Sequence, residues 1–260
     1  MLPTMSFLQP VVSYDYYDGV TVVDTYAEAG GYREVSDGGP QGGYSVFETS
    51  YDINNFSLQE QHVAGSFDLY ELGGGASLQV ESLQVESLQV ESFGYNEQVR
   101  SADYDPFWGH SVYDERTAVQ ALSIEETMTE LTKVTYRDGD GNGFVTSELI
   151  LQRETFDIEL VDTNVMVIDD GPFGDFVAVE DHHREVVTET SELNVIREAT
   201  FFDGDGVVAT TSERFGMAKS HTSVEESDFS LVASEDSGLP PVPGAPPPMP
   251  TVDDGMLIAA

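Results

Sequence analysis

The sequence predicts an all-β chain: an antiparallel meander of long hairpins forming a sandwich or flattened barrel, followed by a disordered Pro-rich tail. Three observations carry this. Asp-Gly recurs at 18–19, 37–38, 138–139, 140–141, 170–171, 203–204, 205–206 and 254–255, and its Gly accepts the positive φ of tight hairpin turns. Most of these pairs are flanked by runs rich in Val, Thr and Tyr, residues that suit a pleated surface. Helical periodicity is weak almost everywhere.

Taken in order, Val11 to Tyr17 and Val20 to Tyr26 read as a first hairpin turning at Asp18-Gly19. A looser pair joins Tyr32–Val35 to Tyr44–Tyr51 through the Gly-rich loop Asp37–Gly43. After an Asn54-Asn55 turn come Phe56–Val63 and Ser66–Leu72. Residues Ser77 to Glu91 are three copies of Ser-Leu-Gln-Val-Glu. In a continuous strand that period puts Leu78 and Val80 on one side and Leu83 and Val85 on the other, as expected of a tandem expansion in a strand or edge segment; an irregular exposed insertion is the alternative. Glu115 to Leu131 is the best helix candidate, although its threonines also allow a long strand. Phe156, Ile158 and Leu160 alternate with acids, the mark of a half-buried strand; Phe229, Leu231 and Ala233 alternate similarly. A dozen or more strands result.

Two segments, 134–148 and 199–213, share the frame strand, Asp-Gly-Asp-Gly, strand, Thr-Ser-Glu, as duplicated hairpins would. The β domain is expected to span 1–236. Residues 237–260 carry the run Leu239-Pro-Pro-Val-Pro-Gly-Ala-Pro-Pro-Pro-Met-Pro250, which is extended and outside any core.

Charge narrows the function. The chain has 260 residues, 10 Lys plus Arg against 48 Asp plus Glu, a net charge of −38, and no cysteine. Such a surface repels phosphate backbones and anionic headgroups, so neither nucleic acid nor a membrane surface is an expected partner. Without cysteine there are no disulfides, thiolate metal sites or cysteine nucleophiles. The segment MLPTMSFLQPVV has no Lys or Arg and no adequate apolar stretch, which argues against a cleaved signal peptide. A transmembrane barrel also shows many alternating hairpins, but charges on both strand faces disfavour it.

Asp138-Gly-Asp-Gly-Asn-Gly143 is the strongest site candidate. Asp138, Asp140 and Asn142 put oxygens at positions 1, 3 and 5 of a calcium-type loop, with Gly at 6. Position 12 is Leu149, and the nearest acid, Glu148, stands one place early. Strand-like flanks exclude an EF-hand and leave a calcium-capable turn, with plain hairpin chemistry as the competing reading. Asp203 and Asp205 form a weaker second site, because Val207 replaces the third ligand. His182 and His183 point to opposite faces of a strand, which argues against a shared ion. No nucleophile elbow, P-loop or dinucleotide fingerprint is present, and no enzymatic activity is expected.

The terminus Asp253-Asp254-Gly-Met-Leu-Ile-Ala-Ala260, with the acidic, Cys-free, Asp-Gly-rich composition, resembles proteins exported by bacterial type I secretion. The Gly-rich calcium-binding nonapeptides of the repeats-in-toxin family are absent. The resemblance implies export to a calcium-rich exterior, where acidic turns load metal and fold.

The expected function is therefore a non-enzymatic, extracellular or cell-surface structural or adhesive β protein that associates with itself or another protein and depends on cations, calcium in particular. One alternative is a carbohydrate-binding or carbohydrate-active β-sandwich using Trp108. Another is a soluble domain adapted to a high-salt cytoplasm, where the charge is screened.

Overall fold

A computed structural model describes residues 9–37, 42–171 and 174–234; the Pro-rich tail lies outside them. They form one sheet of seven strands in sequence order. The strands are β1 (Val12–Asp37), β2 (Tyr44–Gly73), β3 (Ala76–Asp105), β4 (Gly109–Arg137), β5 (Gly143–Gly171), β6 (Gly174–Asp203) and β7 (Gly206–Ser234). Each is antiparallel to the next. The all-β antiparallel meander is thus as the sequence predicts. Two finer expectations are corrected: the described residues form seven strands rather than a dozen, and their sheet is open rather than closed into a barrel or folded into a sandwich.

The strand count fell because two expected turns are not turns. Asp18-Gly19 lies in mid-strand, opposite Val63 and His62, and Asn54-Asn55 lies opposite Ala27 and Tyr26. The helix candidate is strand β4. Asp138–Asn142 and Asp203–Gly206 do turn the chain, as expected. With 26 to 30 residues per strand and about 3.3 Å per residue, the sheet is roughly 100 Å long.

A single layer cannot enclose a core. Val112 and Asp114, each 8% exposed, are the deepest side chains among the described residues. The sheet is held instead by its backbone ladders and by cross-strand pairs on both faces. The pentapeptide repeat shows how apolar groups are shared out. Five is odd and the strand period is two, so each Leu-x-Val pair appears on the face opposite the last one. Leu83 continues across the sheet as Leu131, Leu149 and Ile196 on one face. Val90 is flanked by Leu58, Ile124 and Phe156 on the other. Gln-to-Glu hydrogen bonds, Gln84 to Glu86 and Gln89 to Glu91, fill the intervening polar positions. Neither face thereby becomes continuously apolar, which keeps an open sheet compatible with water. The repeat sits in an interior strand, between β2 and β4.

Glycines inside β1 and β2 serve a second purpose. A Cβ at Gly65 would lie 2.3 Å from the Tyr16 ring, and one at Gly30 would lie 2.7 Å from the Tyr51 ring. Each pair is in direct register, so the missing side chain lets the opposing aromatic lie flat over the backbone, covering a weak point of the strand.

Candidate functional site

The Asp-Gly-rich turns meet at one end of the sheet. The β2–β3 turn comprises Gly73, Gly74 and Gly75, with φ of 85°, 63° and 81°, values that favour Gly. The β4–β5 turn, 138–142, lies beside it, so a Cβ on Gly139 would come 2.3 Å from the Gly74 carbonyl oxygen. On its other side stands the β6–β7 turn, whose Gly204 N–H donates to Asn142 Oδ1 at 3.2 Å. The two hairpins at 134–148 and 199–213 are thus joined at their tips. An aromatic row, Tyr136, Phe144 and Phe201, underlies them, with centroids 5.5 and 6.4 Å apart.

Asp138 organises the central turn. Its Oδ1 accepts N–H bonds from Asp140 at 2.9 Å and Asn142 at 2.8 Å, and its Oδ2 accepts from Asn142 Nδ2 at 2.9 Å. The Asn142 side-chain amide is the main reason its carboxyl is held below the ordinary aspartate value, and the backbone donors add to it. Asp203 plays the same part in the next turn, accepting from the N–H groups of Asp205 and Gly206 at 3.0 and 3.1 Å.

The other expected ligand is elsewhere. Glu148 lies within β5 and accepts two bonds from Arg197 of β6, at 2.9 and 3.3 Å. No three of Asp138, Asp140, Glu148, Asp203 and Asp205 bring carboxylate oxygens together; among the described residues the one such His/Asp/Glu group is His182, Glu226 and Asp228, with ligand atoms within 4.8 Å of one another. The two histidines do separate to opposite faces, His182 bonding Asp228 and His183 bonding Asp162. Glu226 and Asp228 escaped sequence reasoning because only the β6–β7 register brings them beside His182.

Trp108 lies in the β3–β4 turn at the opposite end, where Asp105 Oδ1 accepts the Phe107 and Trp108 N–H groups at 2.7 and 3.1 Å. Trp108 is 66% exposed and Phe107 72%, so the indole does not plug a core. One groove crosses the middle of one face, lined among others by Ser57, Ser123 and Asp157 and by Tyr26, Phe93 and Val186. Ser123 donates to Asp157 there. The groove offers hydroxyls and carboxylates, and its lining has no His, Lys or Arg.

The long edges are the remaining chemical surface. Among the described residues β1 pairs only with β2, and β7 only with β6, leaving a row of unpaired N–H and C=O groups along each. Prolines, bulges and lysines commonly blunt such edges. β1 contains no Pro and no Lys, and its pairing with β2 is free of register shifts. β7 contains no Pro and a single Lys, and its pairing with β6 has one register shift, near Val208. No protein-family model matches the chain, and no curated protein matches it.

Proposed function

We propose that the protein is a non-enzymatic structural or adhesive element of an extracellular or cell-surface layer, and that it works by joining its sheet edges. The observation that carries this reading is the pair of edge strands, 26 and 29 residues long and free of proline, each paired on one side only among the described residues. Strand addition supplies main-chain hydrogen bonds to such an edge without needing a pocket. The net charge of −38 opposes association, and its repulsion shortens from a range of about 10 Å at 0.1 M salt to about 3 Å at 1 M. Cations, calcium among them, therefore set when copies meet.

Sedimentation velocity of chelator-treated protein, titrated with NaCl or calcium at matched ionic strength, tests this. The expected result is a species larger than the monomer that grows with ionic strength. A monomer throughout both titrations would remove the reading. A calcium effect beyond that of matched NaCl, lost in Asp138→Ala/Asp140→Ala, would assign metal binding to the acidic turn.

A further inference from the structure

We infer that the self-association interface is β7 against β7 of a second copy, antiparallel about a two-fold axis through Ser220. The inference rests on the self-association reading above and specifies which edge, symmetry and register it uses.

Three edge junctions are available, and strand direction and charge distinguish them. The first joins β7 to β1 of the next copy. With seven alternating strands, β1 and β7 run in the same direction, so translation of one copy along the sheet makes a parallel junction, slightly weaker per residue than an antiparallel one. Without stagger it also brings like charges together. Asp15 shares its transverse row with Glu213, through Ser66, Ser82, Thr132, Glu148 and Arg197. Glu28 likewise shares its row with Glu226. The junction thus sets Glu213 beside Asp15 and Glu226 beside Glu28, which is repulsive.

The second junction is β1 against β1. That strand carries Asp15, Asp18, Asp24, Glu28, Glu34 and Asp37 against Arg33 alone. Pairing it with itself brings two strands of net charge −5 edge to edge, ten uncompensated negative charges along one junction.

The third junction is β7 against β7. This strand carries Glu213, Glu225, Glu226 and Asp228 against Arg214 and Lys219, a far smaller excess. Full overlap of its 29 residues puts Ser220 on the axis. Arg214 then stands opposite Glu226 of the second copy, twice by symmetry. Ala209 meets Leu231 at the two ends, just inside the irregularity that leaves Val208 without a partner on β6. No two carboxylates are directly opposed. Within one chain Arg214 faces Ile196, and it makes no ion pair with any described residue. Pairing completes a row of alternating sign: Arg184, opposite Glu226 within the chain, then Arg214 of the second copy. The product is a closed, isologous dimer with a fourteen-stranded sheet, and its two outward edges are the acidic β1 strands.

Charge reversal tests this on the full chain. Arg214→Glu and Glu226→Arg, each alone, oppose like charges twice at the interface and are expected to weaken dimerisation about tenfold or more. An equimolar mixture of the two variants restores both pairs, so a mixed dimer near wild-type affinity is expected. Because the chain has no cysteine, spin labels at Ser220→Cys, Ser223→Cys and Ser227→Cys report position cleanly. The separation between copies should be shortest at 220 and grow by about 7 Å per residue away from it, twice the strand rise. A dimer whose mixed variants fail to recover, or whose labels are not closest at 220, overturns this interface and leaves self-association standing. A wild-type chain that stays monomeric at every ionic strength overturns both.

Discussion

The dipeptide Asp-Gly meets two fates in this protein. At 138–139 it opens a turn, with Asp138 accepting three N–H bonds and Gly139 pressed against the next turn. At 18–19 it runs straight through β1, where Asp18 accepts a single bond, from the Gly19 N–H at 2.9 Å. The neighbours account for the difference. Beside Gly19 lies His62, whose ring stacks on Tyr17 with centroids 5.8 Å apart and whose Nδ1 bonds the Tyr17 hydroxyl at 2.7 Å. The open space above Gly19 is occupied by that imidazole. A turn signal is therefore permissive, and the partner strand decides whether it is used.

The sharpest way to break this contrast is to fill the glycines. A Cβ at Gly143 would lie 1.9 Å from the Tyr136 carbonyl oxygen, and one at Gly139 would lie 2.3 Å from the Gly74 carbonyl oxygen. Backbone cannot yield cheaply, so Gly143→Ala and Gly139→Ala are each expected to cost about 1–3 kcal/mol in chemical denaturation. At Gly19 the nearest atom, 2.8 Å away, is the His62 Nδ1 at the end of a rotatable side chain. Gly19→Ala also removes a mid-strand glycine, a change worth about 0.5–1 kcal/mol in the opposite direction, so its net effect should be near zero. Equal losses at 19 and 139 would erase the distinction.

A smaller effect is expected from the carboxylates. Asp138→Ala should lower the thermal midpoint by a few degrees, about 2–4 °C for a domain of this size, and Asp18→Ala by less. Acid sharpens the same comparison. Because the Asp138 carboxyl is held below its ordinary value by Asn142, its contribution is present above the unfolded value of about 3.9. It is lost as pH falls through the depressed folded value. Asp138→Asn should therefore flatten the acid limb of a midpoint-versus-pH curve, and an unchanged limb would count against that role.

The smallest effect belongs at the alkaline end. Glu28 accepts hydrogen bonds from Tyr26 and Tyr51 and so ties β1 to β2. Both phenols are raised, chiefly by that hydrogen bond. Their contribution is present below about pH 10 and is lost as pH rises through the raised folded values. Glu28→Gln should shift the alkaline limb slightly and leave the acid limb of Asp138 unchanged.

Legibility followed the range of each interaction. The alternation of Phe156, Ile158 and Leu160 and the turn chemistry of Asp138–Asn142 involve neighbours within a few residues, so both could be read directly. The pentapeptide's alternation between faces was also legible, since it needs only the two-residue strand period. The grouping of His182 with Glu226 and Asp228 was not, because it spans 46 residues between His182 and Asp228 and depends on register. Glu148 looked like a late ligand in sequence but is drawn by a cross-strand Arg197.

By itself, then, the sequence determined that the described residues are β nearly throughout, where several of their turns fall and how strongly copies repel, because these follow from local backbone preference and summed charge. Only the tertiary structure decided that Asp18-Gly19 stays extended, that seven strands lie in one open layer, and that two edges are left unpaired. Those outcomes depend on which strand lies beside which, and a pairing partner dozens of residues away leaves no mark on the local pattern.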